Sequence, residues 1–210
     1  KKGFVGSILL ANGEAHLPYE RPPLSKAGLL GTVAVEKLLL RAADFWKREN
    51  IEVLTGCTVT AIDPDGHLAR LADGRWVRFT WCVLATGGRA RALDCPGAGL
   101  PGIHRLRTLD DMLGLREALR GAERLAVIGA GYIGLEVAAT ARALGLAVEV
   151  IETQLRVLSR STSRIVSTFL ENAHRRHGVK LHLGQGVAAI EGTGRSRTVV
   201  LTDGTRISTD

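Results

Sequence analysis

Three glycines, Gly129, Gly131 and Gly134, follow an apolar run that ends at Ile128, and a carboxylate, Glu152, lies 18 residues beyond the last of them. In RLAVIGAGYIGLEVAATARALGLAVEVIE the order is strand, glycine turn, helix, second strand, acid. That order suits a dinucleotide. Gly129 permits the tight turn, Gly131 lets a pyrophosphate approach the backbone, and Gly134 allows helix and strand to pack closely. The helix N-terminus, with Tyr132 and Ile133 in its first turn, is aimed at the phosphates. Glu152 can accept both hydroxyls of an adenosine ribose. It would also repel a 2′-phosphate, which favours NAD over NADP. Thr153 and Gln154 add no cation beside it, although Arg156 and Arg160 stand nearby. Glu136 sits in the first turn of the same, otherwise apolar helix. It is either a carboxylate favoured by the helix dipole or the partner of a cation supplied from elsewhere in the chain.

These residues need a frame, and the sequence supplies one twice. IEVLTGCTVTAID from Ile51 lies over VKLHLGQGVAAIE from Val179, with Val59 on Val187 and Ile62 on Ile190. Each copy runs on to an Asp-Gly pair, Asp73-Gly74 and Asp203-Gly204, flanked by β-favouring residues, which predicts a hairpin. Each copy also follows a helical pattern, Glu36 to Arg48 and Ile165 to Arg176. In the first, Leu38, Leu39, Ala42, Phe45 and Trp46 recur at helical spacing and share a buried face. RFTWCVLATGG is expected to form a strand entering a glycine turn, and CPGAGLPG to form a linker. The fold class expected is α/β, with two nested Rossmann-like dinucleotide-binding units whose parallel sheets carry hairpin or meander additions. Both units are expected to be incomplete. The first lacks its opening strand and glycine turn, and the second lacks its closing strand. Residue 1 is Lys and the only methionine is Met112, so the sequence is expected to start inside a longer reading frame.

Composition excludes several classes of protein. With 45% hydrophobic and 23% charged residues the chain is neither disordered nor fibrous. Its +7 charge can steer an acidic partner. No dense Lys/Arg run with interleaved aromatics points to nucleic acid. The apolar stretch Leu125 to Leu135 is too short to span a bilayer. Three cysteines without a C-x-x-C pair give no disulfide framework, zinc ribbon or dithiol redox centre, and suit a reducing cytoplasm.

HLPYERPPLSK, VLATGGRARAL, PGIHRLRTLDD, VIGAGYIGLEVAATARALG and IETQLRVLSR together give the chain a resemblance. It resembles the FAD-dependent NADH:ferredoxin reductases of bacterial oxygenase systems, within the pyridine nucleotide–disulfide oxidoreductase fold. The resemblance implies FAD on residues 1–102, NAD(H) on 103–210 and a further C-terminal domain. It implies that Arg21, Pro22 and Lys26 contact the flavin, that Lys26 lies near flavin N5, and that Lys26 forms a buried pair with Glu136. It places Val59 at the adenine, Ala85, Thr86 and Gly87 at the ribityl-pyrophosphate, and Arg91 nearby. On the NAD side it adds Tyr132 between the glycines, with Thr153 and Arg160 near the adenosine. Ala27 rather than Cys follows Lys26, so the reactive thiol of disulfide- and peroxide-reducing relatives is missing. The activity implied is hydride transfer from NADH to FAD, then single-electron transfer to an acidic iron–sulfur ferredoxin. Rubredoxin or a nitrite reductase centre is the alternative acceptor. A flavin-free, catalytically silent NAD-binding fragment is the alternative of a different class.

Overall fold

The computed structural model describes residues 3–194 and 196–210. The first half of the chain contains strands β1 (Ile8–Ala11), β2 (Ile51–Leu54), β3 (Val59–Asp63), β4 (Leu68–Leu71) and β5 (Trp76–Arg78). Among these strands lie the short helices α1 (Ala27–Leu30) and α2 (Ala43–Arg48) and two 3-10 turns, Pro22–Ser25 and Val35–Leu38. The second half opens with α3 (Leu109–Ala118), then β6 (Arg124–Ile128), α4 (Tyr132–Ala143), β7 (Ala147–Glu152) and α5 (Arg164–Arg176). It finishes with β8 (Val179–Leu183), β9 (Val187–Glu191), β10 (Arg197–Leu201) and β11 (Arg206–Thr209). Contacts divide the chain into two compact units. One contains the residues up to Arg21 with Ala34–Arg89, and the other contains Pro22–Val33 with Ala90–Asp210.

In the second unit β6, β7 and β8 form a parallel sheet in that order, Val127 beside Val150 and Ile151 beside His182. Parallel neighbours cannot be joined by a tight turn, so helices α4 and α5 carry the crossovers. Helix α4 buries Leu135, Val137, Ala138 and Ala141, and β7 buries Val148, Val150 and Ile151. Ile151 also packs with Val199, Leu201 and Ile207 of the antiparallel meander β9-β10-β11. Asp210, at the end of that meander, accepts the N–H groups of Glu123 and Arg124 at 2.8 and 3.0 Å and so ties it to the start of β6. The first unit repeats the plan with less material. A parallel pair, β1 and β2, is accompanied by the meander β3-β4-β5. Its buried hydrophobic side chains among the described residues are Tyr19, Leu38 and Leu71. Both Asp-Gly pairs close hairpins, β4 to β5 and β10 to β11.

Three expectations fail, each for a physical reason. Glu36 to Arg48 is not one helix. A 3-10 turn ends at Leu38, and Leu39 and Ala42 are extended before α2 begins. Backbone pairing takes this stretch out of the helix: Glu20 N–H donates to the Leu38 carbonyl at 2.8 Å, and Leu40 N–H donates to Pro18 at 2.9 Å. Ala42 is consequently exposed. The expected strand after β5 is absent too. Residues 81–94 carry no regular structure, and Trp81, Val83 and Leu84 are 86%, 87% and 68% exposed. Apolar alternation favours a strand, but only a neighbouring backbone makes one, and among the described residues β1 and β2 pair only with each other. Finally, the expected linker is packed onto the second unit. Ile190 N–H donates to the Pro96 carbonyl at 2.9 Å, and the nearly buried Arg197 guanidinium grips the Pro101 carbonyl at 2.7 and 3.1 Å. Gly97, at φ +83°, fits so closely that a Cβ would stand 1.9 Å from the Ile190 oxygen.

Among the described residues no helix is long and apolar enough to cross a membrane. Cys57, Cys82 and Cys95 are free thiols.

Candidate functional site

Strand β6 delivers the chain into the glycine turn. Gly129 takes φ +103°, which a side chain would strain, and its N–H is fastened to the Ile151 carbonyl at 2.7 Å. Gly131 is the N-cap of α4 in an extended conformation, with open space where a Cβ would project. No side chain caps α4, so its first-turn N–H groups remain available to an anion. Gly134 is packed so tightly that a Cβ would meet the Gly129 oxygen at 2.0 Å. Tyr132 and Ile133 are 56% and 48% exposed on the first turn.

Glu152 ends β7 directly beside this turn. One carboxylate oxygen accepts the Ala130 N–H at 2.8 Å, and the other accepts the Gln154 N–H at 2.8 Å and the Thr153 hydroxyl at 3.2 Å. The acid is therefore held at the mouth of the turn by backbone donors and still has a lone pair on Oε2 for a hydroxyl group. Arg156 is not free to meet a phosphate. Its guanidinium donates to Thr162 O, Ser159 O and Ser167 Oγ at 2.9, 2.7 and 2.7 Å. Ser167 is fully buried and its hydroxyl donates a hydrogen bond to the Val157 carbonyl. Arg160 is exposed.

The second cluster also lies within the second unit. Lys26 follows the Pro22–Ser25 turn, and its Nζ lies 2.7 Å from Glu136 Oε1. The cation that Glu136 could have lacked is thus present. The pair is not buried, however: the lysine and glutamate side chains keep 51% and 30% of their exposure. An exposed pair of this kind contributes about 0–1 kcal/mol to stability. The Lys26 ammonium has three donors. One is directed to Glu136 and a longer contact of 3.4 Å reaches the Pro22 carbonyl, which leaves one for a ligand. Burial works to raise the Glu136 carboxyl, but hydrogen bonds from Lys26 and Ser25, with the lysine charge, hold it below the usual carboxylate range. The charged form is thus stabilised at neutral pH, and its contribution is lost as pH falls through that lowered value.

The remaining residues lie on other segments of the chain. In the first unit the Arg21 guanidinium is 2.5 Å from Glu14 Oε1 and stacks 5.3 Å over the Tyr19 ring. Val59, on β3, is 38% exposed. Ala85, Thr86 and Gly87 are exposed and outside regular structure, with Gly87 at φ +66°. Arg91, in the second unit, is also exposed. Pattern reading passed over two residues here. Ser25 is buried against Glu136, and its signal was a lone hydroxyl between Leu24 and Lys26. Gly28 brings α1 so near the preceding turn that a Cβ would lie 2.9 Å from the Pro23 oxygen. A surface cavity of 460 Å³, lined by Ala98, His104, Arg105 and Asp110 among others, includes none of these residues.

The family model described as pyridine nucleotide-disulphide oxidoreductase matches residues 2–210. The ferredoxin reductase subunit of 5,5'-dehydrodivanillate O-demethylase from a Sphingobium species is 43% identical over 209 residues, covering 99% of this chain and 51% of that protein. The ferredoxin reductase for the CYP199A2 system of Rhodopseudomonas palustris superposes with a TM-score of 0.94 at 40% identity, over 99% of this chain and 52% of the other. Putidaredoxin reductase, in its covalent complex with putidaredoxin, gives 0.92 at 41% identity, over 99% and 51%. The chain spans about half the length of the curated relatives it matches.

Proposed function

The chain belongs to the pyridine nucleotide-disulphide oxidoreductase family, and from that premise we propose that it works in an FAD-dependent NADH:ferredoxin reductase of an oxygenase system. When bound, the nicotinamide supplies a hydride and the flavin accepts it, releasing electrons singly to an iron–sulfur ferredoxin. The observation that carries the reading is the Lys26–Glu136 pair. It sets a cation on the second turn, not the first as the spacing suggested, of the very helix whose glycine turn suits a dinucleotide.

Residues 1–102 take the FAD role and 103–210 the NAD(H) role, although 22–33 and 90–102 fold with the second unit. On the NAD side Gly129, Gly131 and Gly134 shape the cradle. The α4 N–H groups neutralise phosphate charge, and Glu152 selects a free ribose over a 2′-phosphate. Tyr132, Ile133, Thr153 and Arg160 are the further contacts to the coenzyme. On the flavin side Lys26 holds positive charge where negative charge develops, and Glu136 orients it. Arg21, Pro22, Val59, Ala85, Thr86, Gly87 and Arg91 are the contacts along the rest of FAD. The +7 charge of the chain favours an acidic ferredoxin. Three free thiols fit a cytoplasmic location.

The deciding experiment is the absorption spectrum of the intact protein during anaerobic titration with NADH. A flavin band bleached by NADH supports the reading, and an intact protein without flavin overturns it. A second expectation concerns coenzyme choice. Glu152→Ala weakens NADH binding about tenfold and weakens NADPH binding less, since the lost acid also repelled the 2′-phosphate. Equal losses in fluorescence titrations with the two coenzymes would remove the ribose assignment and leave Glu152 only its bonds to Ala130, Thr153 and Gln154.

A further inference from the structure

Ser25 is 4% exposed, and its hydroxyl donates to Glu136 Oε2 at 2.5 Å while Lys26 Nζ holds Glu136 Oε1 at 2.7 Å. The carboxylate is therefore shared between two neighbours in sequence, one buried and neutral, the other half-exposed and charged. The Ser25 main chain is fixed as well. Its carbonyl accepts the Thr140 hydroxyl at 2.8 Å, in a buried bond. Glu136 and Thr140 are four residues apart on α4 and share a face, so residue 25 is fastened to the helix at two successive turns. A hydroxyl has one proton to give. The Pro22 carbonyl, at 3.5 Å, is a poor competitor for it.

From this we infer that Ser25 is a positioning residue, whose hydroxyl locks the Glu136 carboxylate so that its second oxygen stays on the Lys26 ammonium. The physical need is plain. An exposed lysine–carboxylate pair is weak and rotates among several geometries. A hydrogen bond from a buried, immobile donor removes that freedom from the acid and leaves only the lysine tip to adjust. Lys26 is the charge facing Glu136 from the turn before α1. From α3, Arg116 donates instead to the Gly28 carbonyl at 3.4 Å. From the sheet, Val127 meets α4 at Gly134, and Val150 is its partner in register. Neither valine titrates, so Lys26 and Ser25 govern the state of Glu136.

The inference rests on the proposed reductase reading only for what Lys26 does to a flavin. Its test uses the intact flavin-loaded protein carrying Ser25→Ala, with two readouts. The first is a pH titration of the Glu136 carboxyl carbon by ¹³C NMR, assigned with Glu136→Gln; it needs no turnover. The second is the pH profile of flavin reduction by NADH in stopped flow. Loss of the hydroxyl moves the Glu136 midpoint upward, because a bond that favoured the ionised form is gone. The acid limb of the profile moves up with it, and reduction on that limb slows about tenfold with NADH affinity unchanged. Ser25→Thr, which keeps the hydroxyl, retains the wild-type midpoint. A Ser25→Ala protein whose midpoint and acid limb both stay in place overturns the inference, whatever its stability, and so does a Ser25→Thr midpoint as high as that of Ser25→Ala. A wild-type protein that NADH does not reduce sinks the reductase reading instead, and the NMR titration still decides the part played by Ser25.

Discussion

Replacing Lys26 with alanine slows reduction of bound flavin by NADH about a hundredfold, the usual cost of removing one donor aimed at developing charge, and leaves NADH affinity nearly unchanged. The two effects separate because Lys26 belongs to the turn before α1, whereas the glycines and Glu152 that suit the dinucleotide belong to β6, α4 and β7. Folding should be little affected. The lysine keeps 51% of its side-chain exposure, and surface pairs contribute at most about 1 kcal/mol, so the thermal midpoint should move by only a few degrees. Glu136 then loses a hydrogen bond and a charge but keeps the Ser25 hydroxyl. Its carboxyl is therefore expected to titrate higher in Lys26→Ala than in the wild type, though still as a satisfied group. Stopped-flow reduction under anaerobic single turnover measures the rate, and the NADH dependence of that rate gives the affinity. An unchanged limiting rate would reduce Lys26 to a surface lysine. A loss confined to NADH affinity would move it to the nicotinamide site.

The reach of the sequence ends where structure depends on partners rather than on pattern. The β6–α4–β7 unit was legible because each residue type answers a local demand: an apolar strand, a positive φ at Gly129, a close approach at Gly134, an acid at the strand end. The repeat was legible for the same reason, since an Asp-Gly pair between β-favouring runs encodes its own hairpin. The stretch from Glu36 to Arg48 misled because helical periodicity reports which side chains share a face, not which backbone groups are claimed elsewhere. Here Pro18 and Glu20 claim them. CPGAGLPG read as a linker because its composition is that of one. Its turn instead seats Gly97 against β9, and nothing local announces that neighbour. Arg156 posed the opposite problem. Its charge is visible in the sequence, but its commitment to three oxygen acceptors in the loop and helix beyond it is a property of the fold. Ser25 is the sharpest case. A single hydroxyl acquires meaning only when α4 brings Glu136 and Thr140 to it from more than a hundred residues away.

Gly134→Ala and Gly131→Ala are expected to fail differently, although both remove a glycine from one short motif. At Gly134 the added methyl would stand 2.0 Å from the Gly129 oxygen and 3.1 Å from its carbonyl carbon, with Val127 at 3.4 Å. Two of those atoms are backbone, so the helix must move away from the turn. Overpacking of this kind costs about 1–3 kcal/mol, and it appears without any ligand as a lower midpoint in denaturant. It also costs coenzyme affinity, because Gly129 and Ala130 present the turn and the Glu152 carboxylate is bonded to Ala130 N–H. At Gly131 nothing lies within 4 Å of the added methyl, and the backbone is already extended as an N-cap requires. Gly131→Ala should therefore fold with a loss of about 1 kcal/mol or less, the cost of a poorer cap. Its defect emerges only with NADH, where the methyl occupies the space a pyrophosphate needs, and affinity falls at least about tenfold. Denaturant melts and NADH titrations on the two variants separate the roles. Equal destabilisation of both would make the pair a packing device. A Gly131→Ala protein that binds NADH normally would remove the phosphates from the mouth of α4 and, with them, the physical basis for assigning the coenzyme to this turn.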